Sequence, residues 1–125
     1  MTALVTEARE ALVAAFTGQG LQVYTTVPAV PRPPAVVIIP DSPWVTHERG
    51  TALGYRVRWR VLIVISPRNN EAATLDVENA IDLLLPLIPA GFSWDVINPP
   101  QLNDVGAQGT VYTTEINVSV SMKEN

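Results

Sequence analysis

The chain has no cysteine, which removes disulfides, thiolate nucleophiles and zinc ribbons together and leaves the redox compartment open. It has one histidine, His47, so a Ser-His site has a single imidazole to draw on, and no G-x-S-x-G elbow surrounds any serine. Phosphate-cradling glycine loops are also missing: Gly18-Gln19-Gly20 follows a helical pattern and no lysine comes after it. No spacing of carboxylates implies a glycosidic cleft. The expectation is a protein that is not an enzyme and takes no cofactor or metal. Charge is scarce as well, at 16%, too little for an acidic or basic disordered tail. The net charge of −4 argues against whole-protein attraction to nucleic acid or to an anionic membrane. No apolar run approaches the ~18 residues of a spanning helix. Met1-Thr2-Ala3-Leu4 lacks the charged start of a signal peptide. The chain therefore reads as soluble and unexported, with no membrane partner.

What is present is apolar material, 47% of 125 residues, enough for one packed domain spanning 1–125. The 11 prolines fall at 28, 31, 33, 34, 40, 43, 67, 86, 89, 99 and 100 and confine regular elements to the windows between them. In the first window Val5, Ala8, Leu12, Ala15 and Phe16 recur at helical spacing. Thr2 can cap and Gly18 can close, which predicts a helix near 3–17. Leu21 to Thr25 predicts a short strand, and Ala35-Val36-Val37-Ile38-Ile39 a strand buried on both faces. Pro28 to Pro34 reads as a stiff extended connector, with an SH3-type ligand as the weaker reading. Asp41 to Ala52 reads as a long polar loop.

From Leu53 to Ile65 the odd positions are apolar or aromatic, and Arg56, Arg58 and Arg60 share the even face, which predicts a long strand of period two. Asn69 or Asn70 caps a second helix with Glu71 in its first turn and a stripe of Ala73, Val77, Ile81, Leu84, Leu85 and Ile88, ending near Pro86. Phe92 to Ile97 is a short strand, Pro99 to Gly109 a loop, and Thr110 to Met122 a closing strand whose even residues face the core. The order αβββαββ predicts an α+β fold, a mostly antiparallel sheet of four to five strands with two helices on one face. No internal repeat is visible.

Two clusters invite a chemical reading. Glu78 and Asp82 stand four apart on one helix face, as a cation chelate would, but opposite the apolar stripe, as a hydrated surface would. Arg56, Arg58 and Arg60 interleave with Tyr55 and Trp59, which superficially looks like a nucleic-acid platform. Strand alternation separates the arginines from the aromatics, so base stacking on the basic face has no partner, though contact with a phosphate backbone stays open.

Charge layout says more than net charge. Five of the 8 basic residues, Arg49, Arg56, Arg58, Arg60 and Arg68, lie within 49–68, and seven acids from Glu71 to Glu115 follow before Lys123. Arg58 meeting Glu115 across a strand pair is one account, worth under about 1 kcal/mol. The other is a basic face of one copy meeting the acidic face of the next, through Glu78, Asp82 or Glu115, in a contact that closes into a ring. Leu62 and Val64 make the far end of the third strand apolar on both faces. Either the helices wrap round that end or a neighbouring subunit covers it. The loops at 41–52 and 99–109, with Trp44, His47, Arg49 and Asp104, are the expected places for contacts between rings. Trp44 either anchors such a contact or folds back on its own core.

Taken in order, the helix ending Phe16-Thr17-Gly18, the run Ala35-Val36-Val37-Ile38-Ile39-Pro40, the strand Tyr55 to Val64, the helix Glu71 to Leu85 and the strand Thr110 to Val118 resemble the tail terminator (tail completion) proteins of long-tailed bacteriophages, especially those of actinobacterial phages. The resemblance covers most of the chain and rests on element order and length, with no catalytic signature. It implies a non-enzymatic protein of the virion, at the head-tail junction and in the host cytoplasm during assembly. It further implies a hexameric homo-oligomer that caps the major tail tube protein, ends its polymerisation, passes DNA non-specifically through its lumen and docks the head-tail connector protein. A head-tail connector or stopper shares this ring logic. A small-molecule-binding, enzymatic or single-strand nucleic-acid-binding α+β domain is the reading from other classes.

Overall fold

The computed structural model describes residues 4–25, 34–47, 54–66, 70–104 and 110–123. Helix α1 (Leu4–Phe16) turns Ala8, Leu12 and Phe16 inward, three of the five positions of its apolar spacing. It stops where the Thr17 N–H and hydroxyl both donate to the Val13 carbonyl, at 3.0 and 2.6 Å. Gly18 then takes φ +87°, the left-handed residue that ends a helix without a Cβ penalty. Strands β1 (Gln22–Tyr24), β2 (Ala35–His47) and β3 (Gly54–Ile65) follow, then α2 (Asn70–Leu84), a single 3-10 turn at Leu85–Leu87 that takes in Pro86, and strands β4 (Phe92–Asp104) and β5 (Thr110–Lys123). The α+β class and the order αβββαββ are as the periodicities imply.

The strands form one five-stranded sheet in the order β1-β2-β3-β5-β4. β1 runs parallel to β2 over Ala35 to Val37, and every other pairing is antiparallel. The two strands of cleanest alternation, β3 and β5, are neighbours and pair from Gly54↔Lys123 to Ile65↔Tyr112 with no shift of register. Burial of one face enforces this, because a slip by one residue would expose the whole apolar set.

That face is the core. Val57, Trp59, Val61, Ile63 and Ile65 of β3 and Ile116, Val118 and Val120 of β5 are sealed by Ala8, Leu12 and Phe16 of α1 and Val77, Ala80 and Leu84 of α2. Both helices lie on this one side. The opposite side carries a smaller cluster in which Ala35, Val37, Val64 and Val111 are buried and Tyr24, Ile39 and Leu62 half-buried. The Ala35–Ile39 run is thus enclosed on both faces, as its unbroken apolarity implies. Val64 is only 4% exposed within a single chain, which corrects the expectation that its cover comes from wrapping helices or a neighbouring subunit.

Two expected loops are strand. β2 continues past Pro40 to His47, and β4 past Pro99 and Pro100 to Asp104. Both absorb their prolines at register shifts, between Pro40 and Val45 in β2 and between Asn98 and Gln101 in β4. Such bulges are where a strand without its full set of N–H donors is tolerated. The expected Thr2 and Asn69 caps, the expected connector from Pro28 to Pro33, and positions 48–52 and 105–109 of the two expected loops lie outside the described residues.

Candidate functional site

The side of the sheet away from the helices carries the charge. Strand alternation in β3 places Arg56, Arg58 and Arg60 there, beside the row Glu115, Asn117, Ser119 and Ser121 of β5. Arg56 is held within the chain: Nη1 donates to Ser119 Oγ at 2.9 Å and Nη2 to Ser121 Oγ at 3.1 Å. Arg60 is held too, with Nη1 3.3 Å from Glu115 Oε1 and Nε donating to the Pro40 carbonyl at 3.5 Å. Its pairing with Glu115 corrects the expected Arg58–Glu115 pair, since the register sets Arg58 opposite Ser119. With the two side chains 40% and 25% exposed, the ion pair is worth about 0.2–1 kcal/mol. Arg58, between them, has its Nε buried with no hydrogen-bond partner.

The network reaches both neighbouring strands. Asn117 Nδ2 donates to Asp41 Oδ2 at 2.9 Å, and the Ser42 N–H donates to Asp41 Oδ1 at 2.8 Å. Asn98 of β4 donates to Asn117 Oδ1 at 3.4 Å. The polar face therefore holds itself together across four strands.

Glu78 and Asp82 are exposed on α2, whose inner side packs on the opposite face of the sheet, so the structure does not bring them to the arginines. Among the described residues no group of three or more His, Asp or Glu side chains is placed to hold a metal ion. No described helix is long and apolar enough to cross a membrane. His47 is exposed at the end of β2. Trp44 sits in the β2 bulge, 42% exposed, with its ring edge-on to Trp59 at 5.7 Å and 73°. Trp44 and His47 are strand residues, and so is Asp104, paired with Thr110; their assignment to loops is corrected accordingly. Arg49 lies outside the described residues. Leu62 and Val64 belong to the small apolar cluster at one end of the polar face.

Sequence reasoning passed over the sheet's rims. β4 is the last strand on one side, and exposed Trp94, Val96 and Leu102 lie along it. On the other side β1 pairs only with Ala35 to Val37, so among the described strands the outer edge of β2 from Ile38 to His47 has no partner. Strand order is a long-range property that no local pattern displays. Exposed Leu75 and Leu83 of α2 did leave a signal, since both fall off the stripe of Ala73, Val77, Ala80 and Leu84. Leu83 borders an apolar cleft of about 460 Å³ between α2 and the sheet, lined also by Leu21, Ile65, Asp76 and Ala80.

No protein-family model matches the chain, and no curated protein matches it either.

Proposed function

We propose that this chain is a structural virion protein whose copies join into a ring that caps a phage tail tube, ends the tube's polymerisation and presents the docking surface for the head connector. The observation that carries this reading is the pair of rims that, among the described strands, are open on opposite sides of one sheet, β4 on one and the outer part of β2 on the other. Two different surfaces on opposite flanks are what a head-to-tail contact needs, and such contacts close into rings when the rotation allows. The likeness of element order to tail terminators supports the same reading. It assigns the chain no catalytic residue, cofactor or metal.

Termination then works by surface complementarity. One ring face matches the last ring of tube subunits, and the other lacks the surface that would template another, so growth stops by steric and electrostatic mismatch. DNA passes through the lumen without sequence readout. Native mass spectrometry of the purified chain, with capture on tail tube protein and on connector protein, tests the proposal. A six-fold ring that binds the tube end supports it. Capture by the connector alone turns the reading to a stopper, and a monomer at all concentrations and salts that binds neither overturns both.

A further inference from the structure

All 3 tryptophans of the chain fall in one stripe that crosses the helix side of the sheet from rim to rim. Trp59 of β3 is buried and pairs with Val118 of β5, which pairs in turn with Trp94 of β4; directly paired residues share a face. On the other flank Trp44 of β2 lays its ring against Trp59. The order is Trp44, Trp59, Val118, Trp94, and the two end indoles are 42% and 50% exposed at opposite rims. Val45, beside Trp44, is exposed on the β2 rim; Val96 is exposed on the β4 rim, where the bulge after Trp94 sets it opposite Asn117 on the other face of the sheet. An indole carries a large apolar surface whose burial dominates contact energetics, and an unpaired strand edge is a ready template for another strand.

Strand polarity fits the two rims to each other. β2, β3, β5 and β4 alternate in direction, so β4 runs opposite to β2. A second copy in the same orientation, moved across the sheet, brings its β2 antiparallel to the first copy's β4 and continues the alternation.

We infer that the β4 rim of one copy seats on the β2 rim of the next, with Trp94 of the first against Trp44 of the second. This rests on the ring reading and names the surfaces that make the ring. Pro40, Pro43, Pro99 and Pro100 remove ladder donors from both rims, so backbone pairing is confined to the Phe92–Asn98 part of β4 and the Trp44–His47 part of β2. The indoles supply the rest. A two-fold β4-to-β4 contact would leave Trp44 in water and close a dimer.

The test uses two double variants of the full chain. Trp94→Lys with Val96→Lys blocks the β4 rim, and Trp44→Lys with Val45→Lys blocks the β2 rim. Circular dichroism and the emission of Trp59 check the fold, and Trp94→Gln and Trp44→Gln replace them if either lysine pair fails to fold. Native mass spectrometry is run on the wild type, each variant alone and a 1:1 mixture. The expected result is a ring for the wild type, self-association weakened by about thirtyfold or more for each variant alone, and a 1:1 heterodimer in the mixture, joined through the two intact rims. A variant that still dimerises alone overturns the head-to-tail contact in favour of a two-fold one. A mixture that stays monomeric while the wild type forms rings overturns the tryptophan contact and leaves the ring reading standing. A wild type that stays monomeric and binds no tube overturns both.

Discussion

Replacing Arg58 by methionine should leave the protein at least as stable, while the same change at Arg56 should weaken it. The Nε of Arg58 is buried without a hydrogen-bond partner, and an unsatisfied buried donor costs about 1–3 kcal/mol. Methionine keeps an unbranched apolar stem over the sheet and deletes the donor. The expected gain is about 1 kcal/mol, the low end, because a single nitrogen is sealed. Arg56→Met removes charge-assisted hydrogen bonds to Ser119 and Ser121 and strands the buried Ser119 hydroxyl. Partial exposure trims that loss to about 2 kcal/mol. The two variants should then differ by about 3 kcal/mol, roughly two orders of magnitude in the folding constant. Guanidinium titration followed by tryptophan emission reads this difference. Protein concentration must be matched and low, because self-association raises apparent stability. A loss of more than about 1 kcal/mol in Arg58→Met would refute the reasoning, since the guanidinium would then be stabilising the folded chain.

A double-mutant cycle on Arg60 and Glu115 should give a coupling of about 0.2–1 kcal/mol that fades as salt approaches about 1 M; a larger, salt-resistant value would place the pair in a drier setting than its exposure implies. Phe16→Ala, which empties a position only 1% exposed between α1 and the sheet, should cost about 3–5 kcal/mol in denaturant titrations. That is a large part of the ~5–15 kcal/mol expected of such a domain. Thr114→Val, which deletes the buried hydroxyl donating to the Asn98 carbonyl beside a β4 bulge, should cost about 1–2 kcal/mol and speed amide exchange around that bulge more than in the β3–β5 ladder.

The parts of the fold legible in the sequence are those whose burial is periodic. Ala8, Leu12 and Phe16 mark α1, and the alternation of Tyr55 to Ile65 and of Tyr112 to Met122 marks the two central strands and the faces they show. Proline misled where it usually informs. Pro40 and Pro99 read as strand ends, yet each lies in a strand with one rim free over that stretch among the described strands, where a missing N–H breaks no described ladder bond on the outer side. The arginine stripe was legible as a surface. Its internal pairing was off by one step on the same face, because only the β3–β5 register decides that Glu115 stands nearer Arg60 than Arg58. The rims that carry the proposed assembly were illegible for a deeper reason: which strand ends a sheet depends on the whole topology, and Trp94 has the same local pattern whether it is central or marginal.

Every register shift in the sheet falls in β2 or β4, and none in the twelve-residue β3–β5 ladder. The molecule therefore tolerates length change very unevenly. A residue added between Pro40 and Val45 enlarges an existing irregularity and leaves the interior as it was. One deleted between Arg56 and Leu62 would rotate part of the strand by half a period, driving guanidinium groups under the helices and turning Trp59 out to water. Variation in chain length among descendants of this sequence should accordingly gather in β2 and β4, while β3 and β5 keep their spacing.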